Sequence, residues 1–214
     1  QDIVYYVGPN VLAIEKKYGF PPEEFRLWLA LHECTHRAQF TGIPWLRSHF
    51  LSLVNKTLES VDPDPEMFRD AAKKIIEARK SGEDLFEDGG LPTLFTSPEQ
   101  RETLNQISGM MSLLEGHGDV TMDRAGAKHI TNADLFAQTF RARRNSAKGL
   151  TRIFQKIVGF EAKLNQYQAG ENFIEEVESL GGTELLNRAW EQPDNLPNLD
   201  EIKSPQDWVN RINN

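Results

Sequence analysis

Ile3-Val4-Tyr5-Tyr6-Val7 is the one run in this chain whose β-branched and aromatic residues read as a strand. Beyond it the apolar positions recur at helical spacing almost to the end. Pro21-Pro22-Glu23-Glu24 opens a helix well, because proline suits the first turn and acids suit the positive end of the dipole. That helix carries Phe25, Trp28, Leu29, Leu31, Ala38 and Phe40, and stops near Gly42 with Pro44 just beyond. Its apolar residues fall on nearly all sides, so it is expected to be buried rather than amphipathic. A second helix is expected over residues 44–60 and a third, more polar one over 64–80, followed by a loop over 81–96. Ser97-Pro98-Glu99-Gln100 then supplies an N-cap serine, a first-turn proline and a capping-box glutamine. The helix it starts runs through Leu104, Ile107, Met110, Met111 and Leu114 to Glu115. Further helices are expected over 132–143, 146–158, 161–168, 171–180 and 204–212, with 191–203, which holds Pro193 and Pro197, an extended connector. The expected fold class is therefore α+β and mainly helical, with a small N-terminal sheet, in one domain over residues 1–214.

Composition narrows the function. With 214 residues, 39% hydrophobic and 26% charged, the chain has room for one good core. No stretch approaches the roughly 20 apolar residues of a membrane span. A net charge of −8 argues against nucleic acid as a partner. Arg144, Lys148, Arg152 and Lys156 recur every fourth residue, a cationic row that reads first as a solvated face and otherwise as an anion contact. The single cysteine, Cys34, excludes an intrachain disulfide and a cysteine-rich zinc site. Because Gln1 leads straight into the strand-like run, the chain reads as lacking an N-terminal segment, which leaves localisation open. With no signal peptide or disulfide visible, the cytoplasm is the expectation. Oligomeric state is not legible.

The chemistry concentrates in Leu31-His32-Glu33-Cys34-Thr35-His36, an H-E-x-x-H motif inside an expected helix. At about 100° per residue, His32 and His36 lie within roughly 40° of each other one turn apart, so both imidazoles reach one cation. Glu33 falls too far round to ligate comfortably but close enough to reach water beside the metal. A catalytic zinc takes three protein ligands and keeps a position for water, whose proton Glu33 can accept as general base. Cys34 points about 200° from His32 and reads as small core filler. The expectation is one Zn²⁺ per chain.

The third ligand must lie elsewhere, since Gln39 and Gly42 stand where an extended H-E-x-x-H-x-x-G-x-x-H motif would carry its glycine and last histidine. Glu115 and Asp119, four apart on one helix face, resemble the Glu-x-x-x-Asp element of the gluzincins. That resemblance implies Glu115 as a zinc ligand and Asp119 orienting a ligating histidine from behind. Glu115 lies 79 residues after His36, farther than in the short gluzincins. His117 is an alternative ligand, although it faces roughly 200° from Glu115. His49 and His129 have no supporting pattern and read as surface or capping residues.

Arg26-Leu27-Trp28, then His32 through Phe40, then Pro44-Trp45-Leu46-Arg47, is similar to the zincin-like metallopeptidase type 2 family. The likeness continues through Met111 to His117 and Asp119, Lys163, Gln166-Tyr167, Gly170, and the Trp190 and Trp208 regions. It implies a zincin fold and zinc-dependent hydrolysis, and some members are associated with biosynthesis of a deazaflavin coenzyme. Members more usually carry a small aliphatic residue at the Cys34 position and alanine at Gly118, and neither departure is expected to touch the chemistry. Developing charge on a substrate carbonyl needs a donor. Tyr167 is the first candidate, ahead of His117, Arg143 and Arg144. The expected function is a zinc metallopeptidase cleaving an amide bond by Glu-activated water. A zinc hydrolase of small amides or esters, and a degenerate zincin that only binds, are the alternatives.

Overall fold

The computed structural model describes residues 3–59, 97–126, 130–145 and 166–213. Helices α1 (Gly8–Tyr18), α2 (Pro22–Gly42) and α3 (Leu46–Glu59) precede the long α4 (Pro98–Gly126), followed by α5 (Ala133–Asn145) and α6 (Gln166–Asn187). Two 3₁₀ turns, Arg188–Trp190 and Pro193–Asn195, lead to α7 (Leu199–Lys203) and α8 (Pro205–Asn213). The helices expected over 64–80 and 146–158, the loop over 81–96, residues 161–165 and the side chains of the cationic row lie outside the described residues. Among the described residues no helix is long and apolar enough to cross a membrane.

The expected N-terminal sheet is not there. Residues 3–7 form no regular element, and the described residues contain no strand. Strand propensity reflects packing on a paired, half-buried surface, and this segment has no strand beside it among the described residues. Its Ile3, Tyr5 and Val7 stay exposed at 54%, 83% and 59%. Immediately after it, α1 forms where the sequence reading had no helix. Pro9 sits in its first turn, where no amide donor is needed, and Gly19 closes it at a φ of 65°. Arg26 donates to both carboxylate oxygens of Glu15 at 2.7 and 2.9 Å, tying α1 to α2.

Two corrections concern burial and connection. Helix α2 is not buried all round: Phe25, Trp28 and Gln39 are buried, but Leu27 is 46% exposed and Cys34 is exposed. Among the described residues, the helices packed on it leave these two positions uncovered. Residues 191–203 are not extended either. Asn198 caps α7 by accepting from the Asp200 and Glu201 amides, while Glu201 reaches back to the Asn198 amide at 3.0 Å. This reciprocal cap starts a helix despite the nearby prolines.

Other boundaries follow their local signals. Ser97 Oγ accepts from the Gln100 amide at 3.1 Å and Gln100 Oε1 accepts from the Ser97 amide at 2.6 Å, a capping box at the start of α4. The helix expected over 171–180 ends at Gly181-Gly182, where Gly182 has a φ of 70° and interrupts α6.

Two apolar clusters hold the helices. One gathers Leu46, Met110, Leu113, Phe173, Ile174 and Trp208 from α3, α4, α6 and α8. The other is mainly aromatic, with Phe20, Phe25, Trp28 and Phe136 packed with Met122 and Ile130. Within the first cluster, α4 and α6 cross backbone to backbone. A Cβ on Gly170 would fall well inside contact distance of the Ser112 carbonyl, and one on Gly116 would strike the Gly170 backbone. This crossing sets the height of Glu115. Gly170→Ala should therefore destabilise the protein by about 1–3 kcal/mol, the usual cost of overpacking. Gly42→Ala, with open space around its Cβ, should change little. Thermal melts of the two variants check this, and equal melting temperatures would contradict the close crossing.

Candidate metal centre

Helix α2 stays regular through His32-Glu33-Cys34-Thr35-His36, so the two histidines stand one turn apart on one face. Their Nε2 atoms are 3.1 Å apart, with the rings at 89° to each other. Glu115 rises from α4 to bring Oε2 within 3.5 Å of His36 Nε2. The ligand atoms of His32, His36 and Glu115 all lie within 4.8 Å of one another. Two ligands each about 2.0–2.2 Å from one tetrahedral zinc stand roughly 3.3 Å apart, so the two nitrogens and one carboxylate oxygen fit such an ion.

The surroundings orient these groups. Trp28 stacks on the His32 ring at a centroid distance of 5.9 Å, one turn earlier on α2. Asp119, one turn beyond Glu115 and buried, places Oδ1 4.0 Å from His32 Nδ1. On the other side, His36 Nδ1 lies 2.9 Å from Gln39 Oε1. Gln39 Nε2 donates to the Leu114 carbonyl at 2.9 Å and lies 3.1 Å from His117 Nδ1. Burial pulls the His36 pKa down, but the hydrogen bonds that the charged ring donates to Glu115 and Gln39, with the charges of Glu115 and Glu33, leave it raised overall. Burial, with help from the Arg124 and His36 charges, pushes His117 below its ordinary value.

Glu33 faces a cleft of about 300 Å³ that it shares with His36, Arg37, Phe40, Thr41 and the segment Ile3-Val4-Tyr5. Glu33 and His36 thus open onto the same space. Tyr6 borders this region: burial first, then the Cys34 and Glu33 groups, raise its hydroxyl pKa. Nothing in the spacing pointed to Tyr6, because residues 3–7 read as a strand remote from the motif.

The fold thus brings His32, His36, Glu115 and Asp119 together and sets Glu33 on the adjoining cleft wall. His117 turns instead to Gln39 and to the Trp190 ring, 5.4 Å away. Tyr167 belongs to α6, but its side chain, like those of Arg143 and Arg144, lies outside the described residues, as does His129. His49 is half-buried against the Trp45 ring. Cys34 is exposed, so it is not core filler: the side of α2 opposite the ligands faces outward. Gly118 is not remote from the chemistry, because a Cβ there would stand 3.3 Å from His36 Cε1. In the sequence Gln39 reads as a departure from a longer motif and as part of the family-like run His32 through Phe40, with no role of its own. Its seven-residue spacing from His32 and three from His36 could have flagged it, since such positions share a helix face.

Two histidines on one helix with a carboxylate from a second make a candidate centre for a single divalent metal. The chain matches the family model for zincin-like metallopeptidase over residues 1–209 and belongs to that family. It is also similar to a crystal structure from Chloroflexus aurantiacus described as "a putative hydrolase with a novel fold", at 29% identity and a TM-score of 0.68. The match covers 98% of this chain and 58% of that protein's length. No curated protein matches the chain.

Proposed function

We propose that the chain binds one Zn²⁺ through His32, His36 and Glu115 and hydrolyses an amide bond, in a peptide, with Glu33 as general base. The observation that carries this reading is the convergence of the three ligand atoms within 4.8 Å beside a cleft that Glu33 also lines. Family membership and the hydrolase description of the structural neighbour support it. Zinc held there supplies Lewis acidity and makes water acidic near neutral pH. Glu33 accepts the proton of the attacking water and delivers it to the leaving amine nitrogen. Asp119 stands behind His32, its Oδ1 4.0 Å from Nδ1, and would orient that ring as the site closes on the metal. The cleft between α2 and residues 3–5 receives the substrate, with Phe40, Ile3 and Val4 offering apolar contact and Arg37 a cation.

Protein purified under zinc-replete, chelator-free conditions should carry one equivalent of zinc by elemental analysis and cleave members of a broad peptide library. Absence of any transition metal would sink the proposal. Turnover of small amides or esters with all peptides intact would move the substrate class. Bound zinc with no turnover on any of these would leave a binding role.

A further inference from the structure

We infer that Gln39 is a positioning residue that sets the tautomer of His36 and so aims its Nε2 lone pair at the metal position. The argument starts from an atom that has no choice. The Leu114 carbonyl oxygen can only accept, so the Gln39 atom 2.9 Å from it is the amide nitrogen. The other end of the same amide is then an oxygen, and it lies 2.9 Å from His36 Nδ1. An oxygen acceptor there requires a proton on Nδ1. A neutral imidazole has only one ring proton, and the carboxylate oxygen that competes for it, Glu115 Oε2, lies 3.5 Å from Nε2, against 2.9 Å from Nδ1 to Gln39 Oε1. The proton therefore sits on Nδ1, and Nε2 keeps its lone pair facing His32 Nε2 and Glu115. The second N–H of Gln39 lies 3.1 Å from His117 Nδ1, which must therefore accept, leaving the His117 proton on its other nitrogen. Gln39 is only 6% exposed, so little water competes for these bonds.

The choice of an amide follows from the same bonds. A carboxylate at this position could accept from His36 but could not donate to Leu114 or His117. An apolar residue of similar size could do neither. Glutamine alone among residues of this length accepts once and donates twice here. The sequence spacing is part of the device: position 39 is one turn beyond His36 on α2, and α4 supplies both the Leu114 carbonyl and His117. The ligand helix α2 and the ligand helix α4 are thereby locked to each other through one side chain.

The tautomer can be read directly by ¹⁵N NMR of zinc-free protein labelled at histidine, at a pH where the rings are neutral. His36 is expected to carry its proton on Nδ1 in the wild type and to become a mixture in Gln39→Met. Competition with a zinc chelator should show affinity about 10- to 100-fold weaker in Gln39→Met, the usual cost of losing a partner behind a ligand, and less affected in Gln39→Glu. A merely structural role would predict unchanged zinc affinity in folded Gln39→Met and a worse result for the buried charge of Gln39→Glu. A wild-type His36 protonated on Nε2 would overturn the inference, as would a folded Gln39→Met that binds zinc like the parent. Should Gln39→Met fail to fold, the wild-type tautomer decides alone. The consequence for the metal rests on the function proposed above, but the tautomer does not. A wild type that binds no zinc would defeat that function while the NMR result still judged Gln39.

Discussion

Glu33→Gln should retain its fold and its zinc and hydrolyse substrate about 10²- to 10⁴-fold more slowly, the range for a lost general base. The expectation comes from the side of α2 on which Glu33 falls. His32 and His36 turn toward Glu115, whereas Glu33 opens with His36 onto the cleft. Glutamine keeps the size and hydrogen-bonding reach of the side chain but cannot take a proton from water. Metal content should therefore stay at one equivalent while turnover per bound metal collapses. The measurement pairs elemental analysis with single-substrate kinetics on the same preparation. Loss of zinc with turnover per bound metal unchanged would show that Glu33 is a ligand rather than the base.

Glu115→Ala and His36→Ala should each abolish zinc retention through gel filtration against a weak chelator. Each leaves only two of three protein ligands, and a catalytic zinc site uses three. Asp119→Ala should cost only about 10- to 100-fold in affinity, because it removes a support and not a ligand. The acidity of His36 adds a pH signature to the wild type. Its raised pKa means that the metal-free fold gains stability from the protonated ring below the ordinary value of 6.5. That contribution is lost as pH rises through the higher folded-state value. Zinc must displace this proton, so zinc affinity should climb with pH across the same window. Calorimetric titrations across that window check it, and a flat profile would exclude His36 as a ligand. Unchanged zinc content in Glu115→Ala would move the third ligand elsewhere.

The local part of the site was legible because it depends on neighbours in the chain. Pro22 starts α2 and the helix runs unbroken to Gly42, so the one-turn spacing of His32 and His36 follows from helical geometry alone. The Ser97–Gln100 cap likewise sets the start of α4 and with it the shared face of Glu115 and Asp119. Where a neighbour in space decides, local pattern misled. The run Ile3–Val7 has strand-forming residues, but no strand stands beside it among the described residues. Helix α2 read as apolar all round and Cys34 as core filler, yet Leu27 and Cys34 are exposed because no described helix packs over them.

By itself, then, the sequence determined the helix, the histidine pair and the place of Glu33 beside it, all set within two turns by backbone hydrogen bonds and the 3.6-residue period. The tertiary structure decided what meets that face. Glu115 reaches His36 across 79 residues of chain because α4 packs against α2, where Gln39 donates to the Leu114 carbonyl. Gln39 meets His36 within α2, but it acquires its other two partners only when α4 presents the Leu114 carbonyl and His117 to α2. These contacts join residues remote in sequence, whose approach depends on how whole helices pack, and no local propensity encodes that.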